Sequence, residues 1–127
     1  MARILIVEDN LANQKVVACL LGKRGYQTFV VTNGSQALEA LEDSRYDLVL
    51  MDVQMPVLDG LETTRLIRKD ARWSTLPVVG LTAHAMVGDR ERCLDAGMTD
   101  YLAKPVRMPA LLETVGKYVP QPGHAGD

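Results

Sequence analysis

The chain has 127 residues, of which 47% are apolar and 24% are charged, as is typical of one globular domain with a single core. The net charge of −2 and the absence of a Lys/Arg run give no reason to expect nucleic-acid binding by this domain. The N-terminal apolar segment, residues 4–7, is too short for a signal peptide or a membrane span. We therefore expect a cytoplasmic protein that does not enter the membrane, with Cys19 and Cys93 reduced and partly buried.

Five short segments rich in apolar and β-branched residues are predicted to be strands. Those at residues 4–7, 48–51 and 77–81 are apolar almost throughout, which is typical of strands covered on both faces of a sheet. The segments at residues 28–31 and 101–103 complete the set, and the last is the weakest. Strands of this kind need helices above and below them.

Three helices are clearly indicated between and after these strands. Asn10 is a suitable cap for the first helix, which we expect to end near Gly22 and Gly25. A second helix follows the second strand, and Pro109 suits the first turn of the last helix. Their predicted buried faces are Val16, Val17, Leu20 and Leu21 in the first, Ala37, Leu38 and Leu41 in the second, and Met108, Leu111, Leu112, Val115 and Val119 in the last.

Two further helices have less regular patterns. The one after residues 59–60 offers Leu61, Leu66 and Ile67 to a core. The one at residues 85–96 mixes a few apolar residues with many charged ones, and we expect it to be held loosely.

Strand and helix thus alternate five times, which predicts an α/β domain over residues 1–119 with a five-stranded parallel sheet and helices on both faces. Residues 120–127, rich in Pro and Gly, are predicted to be a linker or a disordered tail.

Polar side chains follow the predicted strands at their carboxyl ends, where open α/β sheets bind ligands. They are Glu8, Asp9 and Asn10 after the first strand, Asp52 at the end of the third, Thr82 at the end of the fourth and Lys104 after the fifth.

Three carboxylates at one edge repel one another unless a cation is present. Oxygen-only ligands fit Mg²⁺, with Mn²⁺ as a possible substitute. A hard cation and Lys104 beside Asp52 would form a receptacle for a phosphoryl group, with Asp52 supplying the attacking oxygen.

Each of these residues also has a purely structural interpretation. We expect the main role of Asn10 to be helix capping, and Glu8 could serve only the helix dipole. Thr82 and Lys104 could be an ordinary strand end and a solvated lysine. The combination at one sheet edge favours the phosphoryl site.

The same segments resemble the receiver domain of two-component response regulators over nearly the whole chain, from residue 4 to about residue 119. The resemblance is carried in order by ILIVEDN at 4–10, LMDVQMP at 50–56 with DG at 59–60, LTA at 81–83, DAG at 95–97 and DYLAKP at 100–105. Residues 13–16, 51–56 and 82–86 look most like receivers attached to hybrid sensor histidine kinases.

The resemblance implies a flavodoxin-like, doubly wound fold and a phosphorelay function. Asp52 would be phosphorylated by a sensor histidine kinase or a histidine phosphotransfer protein. The domain would then be a signalling switch with self-catalysed phosphotransfer and autodephosphorylation, rather than an enzyme acting on other substrates.

The resemblance also implies a role for each site residue. Glu8, Asp9, Asp52 and the backbone carbonyl of Gln54 would hold Mg²⁺. In the switch, Thr82 would donate to the phosphoryl group, Lys104 would pair with it and Tyr101 would reorient.

Three details depend on the resemblance alone. Glu8 stands where the family more often has Asp, and this leaves open whether its contact with the metal is direct or through water. The bond before Pro105 is expected to be cis. His84, together with Gln54, would influence the dephosphorylation rate, although a solvated His84 is an equal alternative.

Two other classes of protein share parts of this pattern. A haloacid-dehalogenase-like phosphatase also forms an aspartyl phosphate with Mg²⁺, but it needs a second acid two residues after the nucleophile, where this chain has Gln54. A flavodoxin-like FMN carrier should offer hydroxyls and backbone N–H groups after the first strand, where this chain has Glu8 and Asp9.

Overall fold

A computed structural model describes residues 2–53, 59–82, 87–104 and 107–119, without the side chains of residues 87–89 and 108. Five strands form one parallel sheet in the order β2-β1-β3-β4-β5. The predicted fold class is therefore confirmed. The strands are β1 (Arg3–Val7), β2 (Gln27–Val31), β3 (Leu48–Asp52), β4 (Val78–Thr82) and β5 (Asp100–Ala103).

Helices follow each strand. Side chains of Asn10, Asn33 and Asp59 accept hydrogen bonds from backbone N–H groups and begin the first three helices, so the predicted cap at Asn10 is confirmed. The helices are α1 (Leu11–Gly22), α2 (Gly34–Asp43), α3 (Gly60–Lys69), α4 (Val87–Asp95) and α5 (Met108–Tyr118), with a short 3₁₀ helix at Ala71–Trp73.

Instead of the single core expected from the length, two apolar cores lie on opposite faces of the sheet, because successive strand residues point to opposite sides. In β1, Leu5 and Val7 belong to the core covered by α2, α3 and α4, whereas Ile4 and Ile6 belong to the core covered by α1 and α5. The strands β1, β3 and β4 are buried almost throughout, as predicted from their apolar sequences. None of the helices in the described ranges is long and apolar enough to cross a membrane.

Several side chains predicted to be buried are exposed. Val16 is 47% exposed because α1 packs on the sheet through Val17 and Leu21, which lie one turn apart on a neighbouring face. Cys19 is also exposed, whereas Cys93 is fully buried, so the expectation of two partly buried thiols was wrong.

In α3, Leu66 is 39% exposed, and two threonines occupy buried positions instead. The hydroxyls of Thr63 and Thr64 donate to the carbonyl oxygens of Asp59 and Gly60, at 2.8 and 2.7 Å. Because these bonds satisfy the hydroxyls inside the helix, threonine can be buried there without an orphaned polar group.

The direction of strand addition reverses between β1 and β3, which are neighbours in the sheet although β2 separates them in sequence. Ligand sites in open α/β sheets lie beyond the carboxyl ends of the strands at such a reversal. Glu8 follows β1 and Asp52 ends β3, so the fold itself places both carboxylates there.

Candidate functional site

The sheet register brings the four strand ends into one row. Val7 is paired with Met51, so Glu8 and Asp52 follow as neighbours. The N–H of Val53 donates to the carbonyl oxygen of Leu81 at 2.9 Å, and the N–H of Lys104 donates to that of Thr82 at 2.7 Å. The backbone ladder thus continues to the point where the polar side chains begin.

Three carboxylates converge at this edge. One oxygen from each of Glu8, Asp9 and Asp52 lies within 4.8 Å of the other two. Glu8 is 0% exposed and Asp52 2% exposed, whereas Asp9 is exposed to solvent. Two buried carboxylates this close are costly in water-free surroundings unless positive charge compensates them.

Lys104 supplies part of that charge. Its Nζ lies 3.1 Å from Oδ1 of Asp52 and 3.2 Å from Oε2 of Glu8. One ammonium therefore pairs with two buried carboxylates. When the three carboxylates and the ammonium are all ionised, the cluster keeps an excess of negative charge. That excess favours binding of a further cation.

The protonation of Asp52 reflects this balance. Burial and the neighbouring Glu8 carboxylate raise the pKa of Asp52 to about 7, although Lys104 acts in the opposite direction. Burial works to lower the pKa of Lys104, but its bonds to Asp52 and the charge of Glu8 outweigh burial and raise that pKa. The ammonium is therefore charged at neutral pH, while Asp52 is close to its titration midpoint.

Side chains of α1 fix Glu8, and sequence reasoning did not assign them this role. Nδ2 of Asn13 donates to Oε1 of Glu8 at 2.9 Å, and Nε2 of Gln14 donates to the backbone carbonyl of Glu8 at 2.6 Å. The signal available was the spacing of two amides in the first turn of a helix that begins three residues after Glu8. It would not have distinguished these amides from solvated ones.

Gly60 lets α3 approach the backbone of Asp52. Its N–H donates to the carbonyl oxygen of Val53 at 3.1 Å. A Cβ at this position would lie 2.2 Å from the carbonyl oxygen of Asp52, so only glycine fits without displacement.

The remaining predicted residues are placed as follows. Thr82 is 3% exposed at the end of β4, next to the cluster in the register of strand ends. Tyr101 is half-buried in β5 and packs against the core beneath α2, α3 and α4. Gln54, His84 and Pro105, and the tail at residues 120–127, lie outside the described residues.

The donor set fits a hard divalent cation. Carboxylate oxygens are the ligands that Mg²⁺ prefers, and Mg²⁺ is usually held by one or two carboxylates together with waters. The exposed side of the cluster at Asp9 leaves room for such waters.

The family model for the response regulator receiver domain matches residues 4–116. The chain is 40% identical to hybrid signal transduction histidine kinase I of Dictyostelium discoideum, over 124 residues that make up 92% of this chain but only 7% of that protein. It is also 40% identical to the polar-differentiation response regulator DivK of Brucella anthropi, covering 91% of this chain and 94% of DivK.

Two solved structures extend the comparison. The receiver domain of the sensor histidine kinase PA1611 from Pseudomonas aeruginosa, solved with magnesium coordinated in its active-site cleft, is 45% identical with a TM-score of 0.86, covering 92% of this chain and 96% of that one. The receiver domain of Ssk1 from Saccharomyces cerevisiae, crystallised with the histidine phosphotransfer protein Ypd1, is 31% identical with a TM-score of 0.87, covering 92% and 88%.

Proposed function

Because the chain belongs to the response regulator receiver domain family, we propose that it accepts a phosphoryl group from a phosphohistidine onto Asp52. The observation that carries this proposal is the position of Asp52, a buried carboxylate in contact with Lys104 and within 4.8 Å of the Glu8 and Asp9 ligand oxygens. It combines a nucleophile with the charges needed to receive a phosphoryl group.

In the proposed step, an ionised oxygen of Asp52 attacks phosphorus. An O–P bond forms, the N–P bond of the phosphohistidine breaks, and its electron pair returns to the imidazole nitrogen. Lys104 stays beside the acceptor oxygen and balances the charge that the phosphoryl group brings.

We propose that Glu8, Asp9, Asp52 and the backbone carbonyl of Gln54 hold Mg²⁺, with Mn²⁺ as a possible substitute. When bound, the cation would neutralise the phosphoryl oxygens during transfer. The support is the oxygen-only donor set and the magnesium found in the PA1611 receiver domain.

The proposed response starts at Thr82. Its hydroxyl would donate to the phosphoryl group and pull the end of β4 inward, and Tyr101 would follow. Such a hydrogen bond contributes about 1 kcal/mol, or more with a charged acceptor, which shifts a nearly balanced equilibrium between two conformations. Phosphotransfer and autodephosphorylation would be self-catalysed, with no other substrate turned over.

We propose a sensor histidine kinase or a histidine phosphotransfer protein as the donor. The Dictyostelium relative is itself a hybrid histidine kinase, and the Ssk1 receiver was crystallised with a phosphotransfer protein. The cytoplasmic location and the boundary at residue 119 stay predictions from the sequence.

The test is transfer of labelled phosphoryl from a phosphohistidine protein, with and without Mg²⁺, to the wild type, Asp52→Asn and Asp43→Asn. Asp43 is an exposed aspartate at the end of α2, so its variant controls for the chemical change. We expect Mg²⁺-dependent label on the wild type and Asp43→Asn only. If Asp52→Asn were labelled to the same extent as the wild type, the proposal would be contradicted.

A further inference from the structure

We propose that Asn13 is a positioning residue for the metal site: it holds the Glu8 carboxylate in the orientation that binds the cation. This inference rests on the proposed Mg²⁺ site and adds to it a residue outside the ligand set. It is carried by the contacts around Glu8.

The backbone of Glu8 is already fixed on both sides. Its N–H donates to the carbonyl oxygen of Val31 at 3.0 Å, and its own carbonyl accepts from Gln14 at 2.6 Å. The freedom that remains lies in the side chain, where glutamate has one more rotatable bond than aspartate.

Two donors from different elements hold that side chain. Lys104 contacts both carboxylate oxygens, at 3.3 and 3.2 Å, from the end of β5. Asn13 contacts Oε1 at 2.9 Å from α1. Without Asn13, the orientation of the carboxylate would depend on Lys104 and on the neighbouring Asp52 carboxyl. The ammonium competes with a bound cation for the same oxygens.

Asn13 is itself well placed to be rigid. Its backbone N–H donates to Oδ1 of Asn10 at 3.0 Å, which ties the first turn of α1 to the loop after β1. The side-chain amide is therefore projected from a fixed backbone, as expected for a group that sets the orientation of a ligand.

The contact is specific to glutamate at position 8. Aspartate would be shorter by one C–C bond, about 1.5 Å, which is enough to break a hydrogen bond of 2.9 Å. The contribution of Asn13 to cation binding should therefore exist with glutamate and vanish with aspartate.

The test is a double-mutant cycle on the full chain, with the Mg²⁺ dissociation constant measured by calorimetry for the wild type, Asn13→Ala, Glu8→Asp and the double variant. We expect Asn13→Ala to weaken Mg²⁺ binding about tenfold when Glu8 is present, the low end of the range for residues that orient metal ligands. In the Glu8→Asp background we expect Asn13→Ala to change the Mg²⁺ dissociation constant by less than about threefold.

Asn13→Leu, which keeps the branched shape of the side chain and removes the donor, is measured in parallel, and thermal unfolding without metal checks that each variant folds. A purely structural role would lower the metal-free unfolding temperature in both backgrounds and leave the dissociation constant unchanged. That result would overturn the inference. So would Mg²⁺ binding that is unchanged or tighter in both Asn13 variants, or a loss of Mg²⁺ affinity that is equal in the Glu8 and Glu8→Asp backgrounds. If the wild type itself bound no Mg²⁺, the proposed metal site would be wrong instead.

Discussion

The ammonium of Lys104 lies 3.1 Å from the Asp52 carboxylate although the two residues lie at the ends of strands that are not neighbours. Lys104 follows β5, Asp52 ends β3, and β4 runs between them. The lysine side chain therefore reaches across the end of β4, where Thr82 lies. This arrangement places the charge partner, the proposed nucleophile and the proposed switch residue side by side.

Replacing Lys104 with methionine should raise the pKa of Asp52 above its value of about 7, because the neighbouring positive charge works to lower that pKa. We expect the titration midpoint of Asp52 to move to higher pH, measured by NMR titration of its carboxyl carbon without metal. Lys117→Met, at an exposed position in α5, should leave the titration unchanged. An unshifted midpoint in Lys104→Met would contradict the assigned ion pair.

Asp52→Asn should stabilise the metal-free protein. The pKa of Asp52 is raised in the folded state from an ordinary 3.8 to about 7, so ionisation of this group costs stability as the pH rises through that interval. At pH 8 we expect a gain of about 1–2 kcal/mol, less than the full shift implies because relaxation and water penetration lower the cost of a buried charge.

Urea unfolding of both proteins between pH 4 and pH 8, in the presence of a chelator, measures this difference. It should be near zero or negative at pH 4, where Asp52 is largely protonated in the folded protein, and should grow toward pH 8. A difference independent of pH would exclude Asp52 as its source.

Mg²⁺ binding should weaken as the pH falls below about 7. A proton on Asp52 competes with the cation, and the competition is absent only above the folded-state pKa. Between pH 8 and pH 6 we expect about a tenfold loss of affinity by calorimetry. If the Mg²⁺ affinity did not change between pH 8 and pH 6, Asp52 would not be a ligand.

Gly60→Ala should destabilise the fold and distort the site together. The added Cβ would lie 2.2 Å from the Asp52 carbonyl oxygen, and relief requires α3 or the end of β3 to move. We expect a loss of about 1–3 kcal/mol in the free energy of unfolding and slower phosphotransfer to Asp52.

Gly116→Ala is the matched control, because a Cβ there meets nothing within 4 Å in α5. That variant should gain about 0.5–1 kcal/mol from helix propensity. Equal effects of the two substitutions would contradict the close approach at Gly60.

Thr82→Ala should keep phosphorylation of Asp52 but lose the conformational response. The change removes the proposed hydroxyl donor and leaves Asp52 and Lys104 in place. Amide chemical shifts before and after phosphorylation report the response, with Thr32→Ala, an exposed threonine after β2, as the control. If phosphorylation changed the amide chemical shifts of Thr82→Ala as much as those of the wild type, the proposed switch would be ruled out.

The sequence predicts the strands and their polar ends well because both depend on local pattern. Uninterrupted apolar segments indicate β1, β3 and β4, and parallel strands place Glu8, Asp52 and Lys104 at one edge regardless of side-chain detail.

The sequence does not predict side-chain positions that depend on tertiary packing or on hydrogen bonds between distant segments. Leu66 has the same hydrophobicity as a core leucine, but α3 buries a face that contains Thr63 and Thr64 and leaves Leu66 exposed. Asn13 contacts Glu8 only because the turn after β1 folds α1 back over the strand end. That direction is set by tertiary structure and has no local signature.

The candidate metal cluster is assembled from segments that follow β1 and β3, with a lysine that follows β5. No single βαβ unit contains the whole cluster. A cation that binds there therefore requires the complete sheet and has no comparable site on the unfolded chain. By mass action such a ligand stabilises the whole domain, by about 2.7 kcal/mol at a hundred times its dissociation constant. The concentration of the cation would then set the folded fraction of the domain as well as its readiness for phosphorylation.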